Sequence, residues 1–293
     1  DCQGFLMNRQ KDTNALNLPD MGDISDHTIS ENNTYVDLND SPLGTDYIGS
    51  GNHKPFSISL WIKPRRTYSA NKHTALWLGD SDTSWVSIGI ENGTSGRHGI
   101  TLSADMDNHT RPTYPNAINT NEWSHIVLCC DSGQHSGSNS QHGDTGEPMV
   151  DSSASYDVDD LIDGLIENCT DSSYGKITDN TATNIISKGI DDGTLETGTA
   201  GLSKSGGADG EWDTNDSYNI VKLYVNGSAV VPSVNDDTGQ EVGTDNDNRY
   251  YVGTDDTANR QFVGKVDEIM VYDKWLTEAE VNRNYKAGKR SHR

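Results

Sequence analysis

Basic residues are scarce in this 293-residue chain: 22 Lys and Arg stand against 45 Asp and Glu, a formal charge of −23 at pH 7. A surface this negative repels phosphate backbones and anionic headgroups, so no nucleic-acid or membrane-surface partner is expected. Apolar residues are few as well, at 32%. No apolar run approaches the roughly 20 residues of a spanning helix, so no membrane insertion is expected. Cysteines number four, whereas a disulfide-built domain uses more of them at regular spacings. Mostly free thiols are therefore expected, with a Cys169 bridge to Cys129 or Cys130 as the alternative, and assembly in a reducing compartment. The start, Asp1-Cys2-Gln3-Gly4-Phe5-Leu6, lacks both an initiator Met and a signal-peptide apolar core, and trimming ahead of Asp1 is the expectation. What is plentiful is Gly, Ser, Thr, Asn and Asp, the profile of short strands joined by many turns. The length suits one large all-β domain or two small ones.

The charge is uneven. Residues 131–217 carry 18 acids against three Lys and no Arg, a net of −15. The remaining residues carry 27 acids against 19 bases, a net of −8. Low hydrophobicity with high charge predicts disorder or a long surface excursion, and 131–217 is read as an insertion and not as a second domain. Within it, Val158-Asp159-Asp160-Leu161-Ile162-Asp163-Gly164-Leu165-Ile166 has apolar spacing near i, i+3, i+4 and predicts a short helix. Residues 1–33 lack periodicity and read as an arm that must dock elsewhere to be ordered.

Elsewhere, period-2 alternation dominates. Phe56-Ser57-Ile58-Ser59-Leu60-Trp61-Ile62 places Phe and aliphatics on one face and Ser, Ser, Trp on the other, a half-buried strand. Trp85 to Ile90 and Gly99 to Ser103 repeat the pattern. Trp123 to Cys130 is apolar on both faces and predicts a covered central strand, with Cys129 and Cys130 facing opposite ways. Ile220-Val221-Lys222-Leu223-Tyr224-Val225 runs into Asn226-Gly227, a two-residue hairpin signal. Thr277-Glu278-Ala279-Glu280 is a capping-box pattern for a short helix stopped at Gly288. The tail 289–293 is basic and is expected to be solvated or to touch an acidic neighbouring copy.

Five blocks recur together: Tyr35-Val36-Asp37-Leu38; Phe56 to Pro64; Asn121-Glu122-Trp123-Ser124-His125-Ile126-Val127; Val221 to Gly227; and Phe262 to Asp273 leading into Leu276-Thr277-Glu278-Ala279-Glu280-Val281. In order and spacing this resembles the laminin-G-like, concanavalin A-like jelly-roll family, which includes the pentraxins, over 34–130 and 218–288. The resemblance implies an all-β, antiparallel two-sheet sandwich carrying the long insertion and a short C-terminal helix. Such sandwiches mostly bind glycans or proteins, often beside a structural Ca²⁺, and mostly do no chemistry. They occur in secreted and cell-surface proteins and in bacteriophage structural proteins. The ending Asn284-Tyr285-Lys286-Ala287-Gly288-Lys289-Arg290-Ser291-His292 resembles the phage versions. The expectation is a non-catalytic virion protein (capsid decoration, tail or fibre) on the particle surface. Its partners would be neighbouring subunits or further copies of itself, and host glycans. A secreted or cell-surface Ca²⁺-dependent carbohydrate-binding adhesin is the alternative, and a glycan-active enzyme on the same fold is third.

No catalytic constellation is found. A retaining glycosidase needs two carboxylates about 5–5.5 Å apart, and the adjacent Asp267 and Glu268 point to opposite faces of a regular strand. His-Glu-x-x-His and Gly-x-Ser-x-Gly are both absent. His125, mid-strand beside Trp123, reads as a hydrogen-bonded sandwich histidine. Val266, Ile269 and Val271 cannot share one face under strict alternation, so Asp267-Glu268 are expected to mark a bulge. With Asp37, which the family fold implies to lie on a neighbouring strand, they form the candidate calcium ligands, the alternative being ordinary surface acids that make turns or salt bridges. Trp61 and Trp77 are the candidate sugar-stacking platforms, with aromatics packed under a loop as the alternative reading.

Overall fold

The computed structural model describes residues 16–18, 36–38, 54–65, 73–81, 84–92, 96–105, 109–110, 112–134, 136–137, 149–170, 173–191, 194–200, 212–213, 215–232, 234–235, 250–254 and 261–293. Two antiparallel sheets pack face to face. The larger runs β1 (Leu16–Leu18), β19 (Gly264–Tyr272), β3 (Phe56–Pro64), β9 (Ser124–Gln134), β15 (Ser217–Val225), β11 (Leu165–Asn168), β12 (Ser173–Asn180), β13 (Asn184–Asp191) and β10 (Met149–Val150). On its flanks β14 (Thr194–Ala200) pairs with β13, and β16 (Ser228–Val230) with β15. The smaller runs β17 (Val234–Asn235), β8 (Pro112–Asn119), β6 (Arg97–Asp105), β5 (Ser84–Asn92), β4 (His73–Ser81), β18 (Tyr250–Val252) and β2 (Val36–Leu38), with β7 (His109–Thr110) on β6. Among the described residues no helix is long and apolar enough to cross a membrane.

The alternating strands build the core between the sheets. Phe56, Ile58, Leu60 and Ile62 of β3 meet Leu128 of β9 and Leu223 of β15 from one side, and Leu76, Ile88 and Leu102 from the other. Each such side chain, fully removed from water, contributes about 1.5–3 kcal/mol before entropy is set against it. Asn226 and Gly227 turn β15 into β16 with φ of 53° and 84°, as the hairpin signal requires.

The expectation of a half-buried β3 is corrected. Ser57, Ser59 and Trp61, on its outward face, are also buried. They are covered because the chain after β19 folds back across the sheet. Ser57 Oγ donates to the Lys274 carbonyl (2.9 Å) and accepts from the Leu276 amide (3.0 Å). The helix α1 (Glu278–Gly288) follows, its N-terminus closed by the reciprocal Thr277–Glu280 capping box. Leu276 and Val281 then pack on Val127, Cys129 and Tyr224. Cys130 points the other way, into the main core, and Cys129, Cys130 and Cys169 are free thiols. Within the N-terminal arm, β1 docks antiparallel on β19.

The reading of 131–217 as disorder or a surface excursion is corrected for its described residues. Beyond the Phe56–Cys130 pair, β9 leaves β3 and continues alongside β15 as far as Gln134. On the far side of β15 the insertion adds β11, β12, β13 and β10 to the same sheet. It also has its own apolar core, in which Met149, Leu161, Ile166, Ile177 and Ile185 pack with Trp212, Tyr218 and Ile220. The low average hydrophobicity hid this because the apolar residues are few but spaced for one face. The helix predicted over 158–166 is absent. Asp159 and Asp163 take φ of 65° and 71°, which no α-helix admits. Asn180 instead holds the segment as turns, accepting from the Leu161 amide and donating to the Asp157 carbonyl. The strand β11 then begins at Leu165.

Candidate functional site

A cleft of about 430 Å³ opens where the sandwich, the insertion and the approach to α1 meet. Strand alternation decides its floor. On the outward face of the larger sheet, Asp131 and Gly133 of β9 lie beside Ile220 and Tyr218 of β15. Residues 151–161 of the insertion supply one side of the lining, and Pro55, Trp275 and Thr277 contribute from the sandwich and the connection to α1. The segment 151–161 is held by the Asp151 amide on the Thr183 carbonyl and the Tyr156 amide on the Ala182 carbonyl. Gly133 has no room for a side chain: a Cβ there would lie 2.5 Å from the Tyr218 hydroxyl and 2.7 Å from Asp151 Oδ2.

Two carboxylates are buried here, and one of them, Asp151, is bonded to a pair of phenols. The Tyr218 hydroxyl donates to Asp151 Oδ2 at 2.7 Å. The Tyr156 and Tyr218 hydroxyls lie 2.8 Å apart. Asp151 Oδ1 accepts from both the amide and the hydroxyl of Ser153, and Asp131 Oδ1 accepts from the Ser132 amide. Burial raises Asp131 to about 7; the Ser132 and Tyr156 hydrogen bonds oppose this and the nearby Asp151 adds to it. Burial likewise raises both tyrosines, which stay protonated donors at any physiological pH. Asp160, also lining the cleft, is raised by burial and by Asp157. None of the lining residues is Lys, Arg or His. Lys222 donates to the Asp160 carbonyl at 2.6 Å; it is not among the lining residues, and burial lowers its pKa. Trp275 lines the cleft with its Nε1 buried and without a hydrogen-bond partner.

The residues singled out from sequence lie elsewhere. The bulge at Asp267-Glu268 is present: the β19–β3 register shifts between Asp267 and Met270, and Glu268 has φ of 48°. Asp37 is not beside it. It pairs with Tyr251 in the smaller sheet, while β19 lies in the larger one between β1 and β3. The strand adjacency that would have grouped Asp37, Asp267 and Glu268 is therefore missing. Asp267 is already engaged, Oδ1 accepting from the Glu268 amide and Oδ2 lying 3.1 Å from His292 Nε2. Among the described residues no group of three or more His, Cys, Asp or Glu is placed to hold a metal ion.

Trp61 and Trp77 are each only 2% exposed, so neither indole offers a free face to a sugar. Trp77 packs against Tyr251. The face of Trp61 is taken by the tail: the His292 ring stacks on it at 4.2 Å and 4°. His292 also stands edge-on to Trp123 and places Nδ1 2.9 Å from the Gly288 carbonyl. The basic tail is thus not simply solvated, because its imidazole is a packing element. His125 is the buried sandwich histidine expected, 2.9 Å from Ser59 Oγ, and burial with His292 nearby lowers it to about 4.

The cleft residues Asp131, Asp151, Tyr156, Tyr218 and Trp275 were not singled out from the sequence. Its one signal is an acid placed directly after a fully apolar strand, Cys129-Cys130-Asp131, where the insertion opens.

A family model described as the concanavalin A-like lectin/glucanases superfamily matches residues 30–138 and 196–282, about two thirds of the chain. No curated protein sequence matches significantly. Among solved structures, the receptor-binding domain of botulinum neurotoxin mosaic serotype C/D is similar at 13% identity and TM-score 0.36, over 80% of this chain and 36% of that one. This chain thus spans little more than a third of the neurotoxin domain's length. The heptameric SAP-like pentraxin of Limulus polyphemus is similar at 9% identity and TM-score 0.36, over 85% and 80% of the two chains. The CBM40 of the Ruminococcus gnavus IT-sialidase, solved with α2,3-sialyllactose, is similar at 12% identity and TM-score 0.36, over 79% and 82%.

Proposed function

Because the chain belongs to the concanavalin A-like lectin/glucanase superfamily, we propose that it is a carbohydrate-binding protein without catalytic activity, and that the cleft beside Trp275 takes the saccharide. The observation that carries this reading is the cleft's lining. It combines an indole, two phenolic hydroxyls, serine hydroxyls and carboxylates in a volume suited to a small ligand. Carboxylates accept paired sugar hydroxyls, and aromatic rings cover the apolar face of a pyranose. A non-catalytic role is supported by the state of the two buried acids. Each carboxylate of Asp131 and Asp151 is held by hydrogen bonds of the protein itself, which suits a scaffold better than an acid free to reach a scissile bond.

The setting we propose is the surface of a virus particle, as a capsid, tail or fibre component contacting neighbouring subunits. Support for it is the resemblance of the 284–292 ending to phage proteins of this family. Screening the full chain against immobilised glycans tests the binding, with Trp275→Ala expected to weaken the best ligand at least tenfold. Absence of any saccharide ligand, or an unchanged Trp275→Ala, would overturn it. Release of reducing ends from the bound glycan would overturn the non-catalytic part. Immunogold microscopy of purified particles tests the virion setting, and unlabelled particles refute it.

A further inference from the structure

Cations are scarce in this chain, yet five of its 22 Lys and Arg fall within residues 281–293, which contain no acid. Arg283, Lys286 and Arg290 recur at i, i+3 and i+7, the spacing of one helix face. That face outlasts α1, because the Lys289 amide donates to the Tyr285 carbonyl and the Ser291 amide to the Gly288 carbonyl, both at 2.9 Å. All five cations, with Lys289 and Arg293 completing the set, are exposed. Arg283 reaches Glu280 at 3.8 Å, and Lys289 lies 5.0 Å above the Tyr285 ring. Among the described residues, Lys286, Arg290 and Arg293 pair with no carboxylate. A helix C-terminus favours cations only within its last turn, which accounts for Lys286 and not for Arg290 or Arg293. The buried His292 pins the segment to Trp61, so these charges are held in place without being neutralised.

Charges of the opposite sign stand towards the other end of α1. Its N-cap, Thr277, lines the cleft together with Asp157, and the helix runs 11 residues from there to Gly288, a rise of about 16 Å. Three exposed acids gather around the buried Asn180. The Asp157 carbonyl accepts from Asn180 Nδ2, the Asp159 amide donates to the Asn180 carbonyl, and Asp179 is its neighbour in β12. None of the three forms an ion pair among the described residues. Between Asp157 and Asp159, Val158 is 67% exposed, one of only two large apolar side chains left so among the described residues. We infer that the basic stripe of 283–293 docks on the 157–159 turn and Asp179 of a second copy of this chain. Charge complementarity selects that occupant: the stripe is cationic, and residues 131–217 of any further copy carry a net of −15. Because the two surfaces do not pair within one copy, both remain available between copies, and the contact joins different patches of the two molecules. Val158 supplies an apolar centre and the paired charges a polar rim, the usual layout of a small interface. The inference depends on neither the saccharide site nor the virion setting.

Sedimentation velocity on the full chain is the test. It is run at about 0.15 M salt, where a Debye length of about 8 Å screens the long-range repulsion of two acidic molecules but not charges in contact. Exposed ion pairs are individually weak, so association is expected to appear as the wild type is concentrated to about 100 µM. Lys286→Glu combined with Arg290→Glu is expected to weaken it at least tenfold, and so is Asp159→Lys combined with Asp179→Lys. An equimolar mixture of the two double variants, whose reversed surfaces are again complementary, is expected to restore it. A wild type that stays monomeric throughout would overturn the inference whatever the folding of the variants. Association that survives either reversal, or a mixture that remains monomeric, would overturn it as well. Stripe reversal that leaves sedimentation unchanged but abolishes retention on a heparin column would instead assign the stripe to an anionic glycan.

Discussion

Replacing His292 by Ala tests the packing of the chain's end most sharply. Its two ring nitrogens face acceptors, Nδ1 the Gly288 carbonyl at 2.9 Å and Nε2 the Asp267 carboxylate at 3.1 Å. An imidazole donates from both nitrogens only when protonated. Burial disfavours that cation, but the Asp267 and Gly288 bonds and the nearby Glu268 more than offset it, and the pKa is raised above its ordinary value of 6.5. The His292 hydrogen bond in turn lowers Asp267, against the opposing effect of burial. Truncation to Ala removes a ring stack worth about 0.5–1.5 kcal/mol and a charged hydrogen bond worth about 1.5–3 kcal/mol. Allowing for local relaxation, a loss of about 2–3 kcal/mol is expected, or about 3–5 °C in Tm for a chain of this size.

The sign with pH follows from the two shifts. The raised histidine contributes in full below its unfolded pKa of 6.5, and its contribution is lost as pH rises through the higher folded value. The lowered carboxylate contributes above 3.8, and its contribution is lost as pH falls through its lower folded value. The gap between wild type and His292→Ala should therefore be widest between about pH 4 and 6.5. In alkali it should shrink to the stacking contribution, which His292→Phe retains. Thermal melts by circular dichroism at pH 5.5 and pH 9 measure it. A gap that is absent at pH 5.5, or equal at the two pH values, would refute the imidazolium assignment.

Gly133→Ala would place its methyl group against the Tyr218 hydroxyl and Asp151 Oδ2. A destabilisation of about 1–3 kcal/mol in denaturant titration is expected, together with weakened saccharide binding; unchanged binding would show that the phenol chain does not shape the cleft. EDTA is expected to leave the melting temperature unchanged, because Asp37 lies on the opposite sheet and Asp267 is held by His292. A fall of several degrees would show that oxygen ligands elsewhere in the chain bind a structural ion.

The elements that were legible from the residues share one property: their determinants are local. The alternation of β3, the Asn226-Gly227 turn, the Thr277–Glu280 cap and the bulge at Asp267-Glu268 are each set within a few residues, and each is present in the fold. The features that were misread depend on distant partners. Ser57 and Trp61 looked like the wet side of a strand until residues more than 200 positions later folded over them. The segment 158–166 carries a helical spacing, but Asn180 and two left-handed aspartates convert it to turns.

Composition and periodicity by themselves determined an all-β chain, its central strand, its capped helix and the place where an acidic segment interrupts it, and the family resemblance added the two-sheet sandwich. They could not supply the cleft, because Asp131, Asp151, Tyr156, Tyr218 and Trp275 come from four separate stretches brought together by the β9–β15 pairing and the crossing of 151–161. Charge alone made residues 131–217 look like a solvated excursion. Only the tertiary structure decided that Asp131, Asp151, Glu167 and Asp216 are buried, Asp151 against a phenol, since a carboxylate's surroundings depend on neighbours that no sequence interval reveals.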